Sequence, residues 1–592
     1  MENIEIARQL DEVADLLEIQ EANPFRVRAY RNAVRTIREL AAPLEKMVTE
    51  EADLTALPGI GKEMARHIGE LVTAGAMGVL AELREAVPAT LVQIMRVPGV
   101  GPKSARKLWK ELGIEGVEEL KEAAEQGRVA GLKGFGEKKQ AQILAGIEQW
   151  RRHTARYRID EAAEFVKPLL AHMRSLAQAE RMEVAGSYRR RKETVGDIDI
   201  LVLSSEPEPV MDHFLAFPAV ADVLAAGDTR GSVILRSGLQ VDLRIVPEES
   251  YGAALVYFTG SKEHNIRLRQ RALDRGLSIS EYGVFELHQE ASTTAAAGAP
   301  ASGEAREDGR WKAGREEADV YEAVGLPYIL PELREDRGEI EAAEKGTLPE
   351  LVALEDLRGD LQMHSTWSDG KNSVEEMLQG CVDRGYEYFA ITDHSKALAM
   401  IDGLDREALE RQLEEIEEVA ARHPEIRILR SMEVDILADG ALDLEDEMLE
   451  ALDLVVISIH SMFNLPAGRQ TERVLRALQH REVDVFAHPT ARLINRRDPV
   501  SFDLEEVLSC AVEHRVAVEL NANPHRLDLK DTHLTLAKRL GVKVVISTDA
   551  HRVADLDLMS YGVEQARRAW LEPEDVLNTL SRDEFLAYFG LE

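Results

Sequence analysis

Apolar positions alternate with charged ones at helical spacing through residues 4–48 and predict helices broken at Pro24 and Pro43. Within it, Phe25 to Leu40 is a basic helix carrying Arg26, Arg28, Arg31, Arg35 and Arg38; the pattern fits a solvated face as well as a nucleic-acid contact. Three related stretches follow. Leu57-Pro58-Gly59-Ile60-Gly61-Lys62, Val97-Pro98-Gly99-Val100-Gly101-Pro102-Lys103 and Leu132-Lys133-Gly134-Phe135-Gly136-Glu137-Lys138 each place an apolar-x-Gly-apolar-Gly turn before a helix with a lysine near its start. Such glycines let another backbone approach closely, and N–H groups at a helix start donate to phosphate. Residues 155–180 read as a further helix. The period then changes from helical to two in Asp197 to Leu203 and in Leu239 to Val246, which predicts strands. Tyr257-Phe258-Thr259-Gly260-Ser261 opens a basic helix, Glu263 to Arg271. Residues 288–316 are poor in large apolar side chains and predict a mobile surface loop. Residues 331–358, acidic and bounded by Pro331 and Pro349, make a linker.

From Asp360 onward, short aliphatic strands each end in a polar residue and are followed by a helix. The strand ends carry His364, Asp393-His394, Glu433, His460, His488, Asn521 and Asp549-Ala550-His551, and Asp369 follows the first of them closely. Repeated strand–helix units of this kind argue for a (β/α) barrel. In a barrel the C-terminal strand ends converge on one face, so these side chains should cluster.

A chain of 592 residues holds several domains. The net charge of −35 argues against nucleic-acid binding until its distribution is considered. Residues 351–592 carry 26 Lys+Arg against 48 Asp+Glu, whereas residues 101–200 carry 20 against 16. Positive charge is therefore local, and any DNA affinity should be weak and salt-sensitive. The absence of a long apolar run excludes a transmembrane helix, and the acidic amphipathic N-terminus does not resemble a targeting peptide. The two cysteines, Cys381 and Cys510, exclude a disulfide framework and suit a reducing cytoplasm.

The densest chemistry lies in Val184 to Leu203. A Gly186-Ser187 turn precedes Arg189, Arg190, Arg191 and Lys192, and Gly196 leads into Asp197-Ile198-Asp199-Ile200. Residues two apart in a strand share a face, so Asp197 and Asp199 point the same way and repel one another unless a cation lies between them. Asp242, on the second alternating strand, can join them. Three carboxylates on adjacent strands can hold two Mg²⁺ about 3.5–4 Å apart for in-line phosphoryl transfer. The turn offers N–H groups and the Ser187 hydroxyl to phosphate, and Arg190 adds positive charge.

These residues resemble a known family. GSYRR, GDIDI, VDLR and YFTGS, in this order and spacing, look like the nucleotidyltransferase core of family X DNA polymerases. The resemblance implies catalytic Asp197, Asp199 and Asp242 holding two Mg²⁺, with Gly186, Ser187, Arg190 and Gly196 binding the triphosphate. It also implies Tyr257 and Phe258 against the sugar, Gly260 giving the backbone room, Asn265 at the minor-groove edge of the base and Arg269 on the template strand. The three glycine turns resemble helix-hairpin-helix modules. The first two match the pair of the family and imply DNA contact through Gly59, Gly61, Lys62, Gly99, Gly101 and Lys103; the third fits DNA contact or packing. Where the family carries a lysine that attacks abasic sugars, this sequence has His67, and that lyase activity is expected to be inefficient.

The strand-end residues from His364 to His551 resemble the PHP (polymerase and histidinol phosphatase) phosphoesterases. The implied ligands are His364, Asp369, His394, Glu433, His460, His488, Asp549 and His551, for up to three Mn²⁺ or Zn²⁺ with Glu433 bridging two. Gln362 departs from the His-x-His with which that family commonly opens. The expected fold is multidomain α+β and α/β: helix-hairpin-helix domains (1–85 and 86–154), a palm with a mixed sheet (155–246), a nucleotide-selection subdomain (247–330), the linker (331–358) and a distorted (β/α)7-type PHP barrel (359–592). The implied function is template-directed gap-filling synthesis in base-excision repair with a metal-dependent 3′→5′ exonuclease and abasic-site cleavage. The substrates would be dNTPs and gapped or primed duplex DNA. A monomer in the cytoplasm, associated with the nucleoid and with no membrane partner, is expected. The competing readings are a template-independent nucleotidyltransferase and a non-catalytic DNA-binding scaffold.

Overall fold

The computed structural model describes residues 3–20, 22–39, 44–49, 52–57, 59–74, 77–88, 90–95, 97, 99–154, 156–287, 310–397 and 403–591. Its contacts divide the chain into two compact units. One comprises Met1–Arg156, Gln178–Arg181 and Asp199–Val324; the other comprises Tyr157–Ala177, Met182–Ile198 and Gly325–Glu592. The palm stretch 155–246 is thus shared between units, with the boundary inside the strand Asp197–Leu203.

The first unit begins with helices Asn3–Ile19 and Pro24–Glu39, and continues through Lys62–Ala74, Gly78–Ala86, Pro102–Leu112, Val117–Glu125 and Gly136–Thr154. Ile6, Leu10, Val13 and Leu17 share a core with Tyr30, Val34, Ile37, Ile68, Leu108, Ile143 and Ile147. All three glycine turns close in the same way: Ile60 N donates to Leu57 O, Val100 N to Val97 O and Phe135 N to Leu132 O. The first glycine of each, Gly59, Gly99 and Gly134, has φ of 75°, 90° and 88°, the left-handed region that a side chain disfavours.

The palm sheet runs in the order Arg181–Val184, Asp197–Leu203, Gln240–Val246, Arg230–Leu235, Val220–Ala226. Beyond it lie helices Tyr251–Thr259 and Lys262–Leu273 and a three-stranded antiparallel sheet. Two expectations are corrected here. Tyr257-Phe258-Thr259 ends a helix rather than opening one, and Ser261 caps the next by accepting from His264 N at 3.0 Å. Arg310–Ala313, placed by sequence in the mobile loop 288–316, is a strand pairing with Gly283–Glu286. Residues 288–309 of that loop lie outside the described residues.

In the second unit Tyr157–Arg158 pairs with Thr194–Val195, and the helix Ile159–Arg174 follows. Seven strands form the barrel: Gly359–Asp360, Tyr388–Ile391, Arg427–Asp435, Leu454–Ser458, Val485–Phe486, Ala517–Asn521 and Val544–Ser547. Every neighbouring pair is parallel. A parallel bridge between Met363 and Ala550 brings the ends of the series together. Alternate strand residues face opposite ways, as the period of two requires. Leu454, Val456 and Val545 pack with Phe585 of the C-terminal helix, while Val455, Ile457 and Val544 pack with helix residues such as Val474 and Val563. The linking segment 331–358 is built into this unit: it holds the helix Glu339–Lys345, and Val352 N donates to Leu571 O.

Candidate active sites

On the palm strand, Ile198 and Ile200 are buried while Asp197 is exposed and Asp199 half-buried, so the two carboxylates share the accessible face. The neighbouring strand repeats the alternation, with Asp242 half-buried between Val241 and Leu243. Gln240 Nε2 donates to both oxygens of Asp242, at 3.3 and 3.0 Å. Gly186, at φ 62°, starts a single helical turn through Arg189, and Lys192 N returns to Ser187 O. Arg190 Nε donates to Glu335 Oε1 at 2.9 Å.

In the selection subdomain, Tyr257 and Phe258 meet edge to face with ring centroids 5.0 Å apart. Asn265 Nδ2 donates to Tyr257 O at 2.6 Å and holds the turn between the two helices. A Cβ on Gly260 would lie 2.6 Å from Asn265 Oδ1, so a side chain there would have to displace the Asn265 amide. Arg269 is exposed on the following helix. Gly61, Lys62, Gly101 and Lys103 are all exposed, at the starts of the helices Lys62–Ala74 and Pro102–Leu112.

The barrel brings its eight expected residues together. Glu433 Oε1 lies 2.9 Å from His488 Nε2 and 3.3 Å from His460 Nε2. Its other oxygen lies 3.3 Å from His394 Nδ1 and 3.6 Å from His364 Nε2. Asp549 Oδ1 is 3.2 Å from His364 Nε2, and Asp369 Oδ2 is 3.2 Å from His551 Nε2. His488 and Asp549 both adopt positive φ, 25° and 55°, a conformation that costs free energy and persists where surrounding structure demands it.

The donor set fits divalent metal. His364 Nδ1, His488 Nδ1 and both amide atoms of Gln362 are buried without a hydrogen-bond partner, and the buried Glu433 oxygens meet only the imidazole nitrogens around them. Proteins rarely bury so many polar atoms unpaired, and mixed imidazole and carboxylate suit Zn²⁺ or Mn²⁺. Burial alone would raise the carboxyls of Asp369, Glu433 and Asp549, but the imidazoles bonded to and charged around them, joined at Asp549 by the Arg526 guanidinium, prevail and hold all three well below the usual carboxylate range. Burial pushes His394 down to about 3. The site is thus biased toward ionised carboxylates and a neutral imidazole, the ligating forms. His551 differs: burial opposes its cation, but the Asp369 and Asp549 carboxylates outweigh that and push it up to about 9. Metal would displace that proton.

Three residues outside the implied ligand set also belong to this site. Asp435 Oδ1 lies 2.8 Å from His460 Nδ1 and turns the opposite ring nitrogen toward Glu433, as a carboxylate behind a metal-binding histidine does. Asp393, adjacent to His394, accepts from Ser365 N and from the Ser365, Ser368 and Gln412 side chains. Arg526 Nε lies 3.2 Å from Asp549 Oδ2, and its Nη1 is buried without a partner. A guanidinium cannot ligate metal, so Arg526 contributes positive charge beside the Asp549 carboxylate rather than a donor to an ion. Asp393 was read from the sequence at the strand end beside His394 but not among the implied ligands; nothing in the spacing marks Arg526.

Family models match five parts of the chain: a helix-hairpin-helix domain (1–77), a SAM-like helix-hairpin-helix tandem (91–149), the DNA polymerase beta palm (156–240), the DNA polymerase beta thumb (254–335) and the PHP domain (360–523). DNA polymerase lambda of Rattus norvegicus is 24% identical over 351 residues, 56% of each chain. A probable phosphatase of a Thermoanaerobacter species is 26% identical over 222 residues, 35% of this chain and 84% of its own. The DNA polymerase/3′-5′ exonuclease PolX of Bacillus subtilis is 40% identical over 590 residues, 99% of both chains. Similarity that runs unbroken from the glycine turns through the palm to the last barrel strand means that this chain belongs to the PolX family, the bacterial family X DNA polymerases with a C-terminal PHP domain.

Proposed function

We propose that the protein fills short gaps in DNA during base-excision repair, adding dNTPs to a primer 3′-OH under template direction, and that its PHP domain removes nucleotides 3′→5′. Asp197 and Asp199 hold two Mg²⁺, and Asp242 assists deprotonation of the primer hydroxyl. Ser187 and Arg190 bind the triphosphate; Tyr257, Phe258 and Gly260 contact the sugar, Asn265 the base and Arg269 the template. The glycine turns at 59–61 and 99–101 donate N–H groups to DNA phosphates, which positions the duplex without reading sequence.

In the barrel, His364, Asp369, His394, Glu433, His460, His488, Asp549 and His551 hold up to three Mn²⁺ or Zn²⁺, with Gln362 as a weaker neighbour. Such ions supply Lewis acidity and an activated water for phosphodiester cleavage. Arg526 then pairs with the phosphate oxygens of the scissile bond, and Asp435 keeps the His460 ring oriented. Abasic-site cleavage, where it occurs, falls to the same residues. The protein works as a monomer in the cytoplasm, on nucleoid DNA.

The observation carrying this reading is the placement of Glu433, whose two oxygens each face a pair of imidazoles, on the same chain as an accessible Asp197/Asp199 pair. Extension and shortening of a primer on gapped DNA test it, with Mg²⁺ and Mn²⁺ compared. Template-dependent extension and 3′-end shortening are expected. Equal extension without template would favour a template-independent transferase, and the absence of both reactions would favour a scaffold.

A further inference from the structure

The loop that follows the Gly186-Ser187 turn is fastened by residues from the C-terminal part of the chain, all within the second compact unit. The loop closes first on itself: Arg190 N donates to Gly186 O, Arg191 N to Tyr188 O and Lys192 N to Ser187 O. It is then gripped from outside through its main chain. Arg568 Nη1 donates to Arg190 O, and Gln565 Nε2 donates to Arg191 O at 2.7 Å. Both donors lie on the helix Met559–Arg568, which packs against the barrel strand Val544–Ser547. Arg191 between these carbonyls has φ 58°, which a residue with a side chain adopts only when its surroundings fix it.

The side chains are held as well. Glu335 accepts from Arg190 Nε at 2.9 Å and lies 3.1 Å from Arg568 Nη1, while Arg568 Nη2 donates to Asp531 at 2.8 Å. Arg568 is 1% and Glu335 9% exposed, so little water competes for these bonds. Arg191 pairs with Glu564 at 3.3 Å, and Glu193 with Arg492 at 2.7 Å. The bonds fix the backbone of Arg190 on one side and its guanidinium on the other. A plain docking contact would need neither.

We propose that Glu335, Gln565 and Arg568 are positioning residues for nucleotide addition: the flank of the PHP barrel holds the loop that presents Ser187 and Arg190 to the triphosphate. This rests on the reading of Arg190 as a triphosphate ligand. Pre-setting the loop removes the cost of ordering it when a nucleotide binds, so its loss should appear mainly in dNTP affinity.

The test uses the full chain with Gln565→Leu, Glu335→Gln, Arg568→Lys and Arg190→Ala, measuring KM for dNTP and kcat in one-nucleotide gap filling, the nuclease rate on single-stranded DNA and bound metal. Gln565→Leu and Glu335→Gln should each raise KM for dNTP about threefold to tenfold, as loss of one hydrogen bond to a charged or buried partner does, with kcat nearly unchanged. Nuclease rate and metal content should stay at wild-type values. Arg568→Lys, which keeps the charge and loses the fork, should fall between wild type and Arg190→Ala. A lower KM in Glu335→Gln would mean that Glu335 sequesters Arg190 and would overturn the proposal. So would unchanged KM in both mild variants beside a large effect of Arg190→Ala, or a proportional loss of nuclease activity. An Arg190→Ala variant with wild-type KM would instead remove the triphosphate reading itself.

Discussion

His67 occupies the position where the family resemblance places a lysine nucleophile, and its surroundings are those of a core residue. It is 1% exposed, its Nδ1 lies 2.9 Å from the Tyr30 hydroxyl, and the two rings stack at 5.7 Å. Burial and the neighbouring Arg66 cation lower its pKa, which keeps the imidazole neutral. A neutral imidazole cannot form the imine that an amine forms with an aldehyde. Borohydride trapping on 5′-deoxyribose phosphate DNA should therefore give little covalent adduct at this helix. Adduct that forms in the wild type and disappears in Lys62→Ala would identify Lys62 as a nucleophile and contradict this. At the same scale, the candidate barrel ligands other than Asp369 were legible because each stands at or just past the end of an aliphatic run, a position that the barrel brings to one face. Asp435 and Arg526 were not. Asp435 lies two residues beyond Glu433 on a strand whose continuation past the ligand the pattern does not announce. Arg526 sits in a turn after Asn521, and only the fold shows that this turn comes back to Asp549.

Elements differ in how well local pattern specifies them. The three glycine turns were readable because the residues bonded across each turn are three apart and the glycines have a conformational reason to be there. The strand Arg310–Ala313 was not, since four residues carry too short a pattern and its partner Gly283–Glu286 lies on the far side of the loop. Nor could sequence show that residues 157–177 and 182–198 group with the barrel, because those contacts depend on residues hundreds of positions away. Helix Asp531–Leu540 meets that network through Asp531. Burial pushes this carboxyl up, but Arg568 and Arg337 outweigh it and hold it well below the usual range; Glu335 is likewise depressed, against burial, by Arg568, Arg190 and Lys192. A depressed carboxyl contributes stability that is present above its unfolded value of about 4 and is lost as pH falls toward its folded value. The melting temperature of the barrel unit should drop on acidification from about pH 6 to about pH 3, and Asp531→Asn should show a smaller drop from a lower starting point. An equal drop in wild type and variant would contradict the assignment.

For the whole molecule, the chain joins two metal chemistries built on different principles. In the palm, carboxylates on strand faces offer hard oxygen donors; in the barrel, histidines and acids on strand ends offer a mixed set. The central claim is that these are two separable active sites on one polypeptide. Its most direct test is a single assay of gapped DNA, read for extension and for 3′ shortening, with Asp197→Ala/Asp199→Ala and His364→Ala/Glu433→Ala as full-length double variants of confirmed fold. The first should lose extension by at least about a thousandfold and keep shortening, and the second should do the reverse and lose bound metal. Loss of both activities in either folded variant would contradict the account.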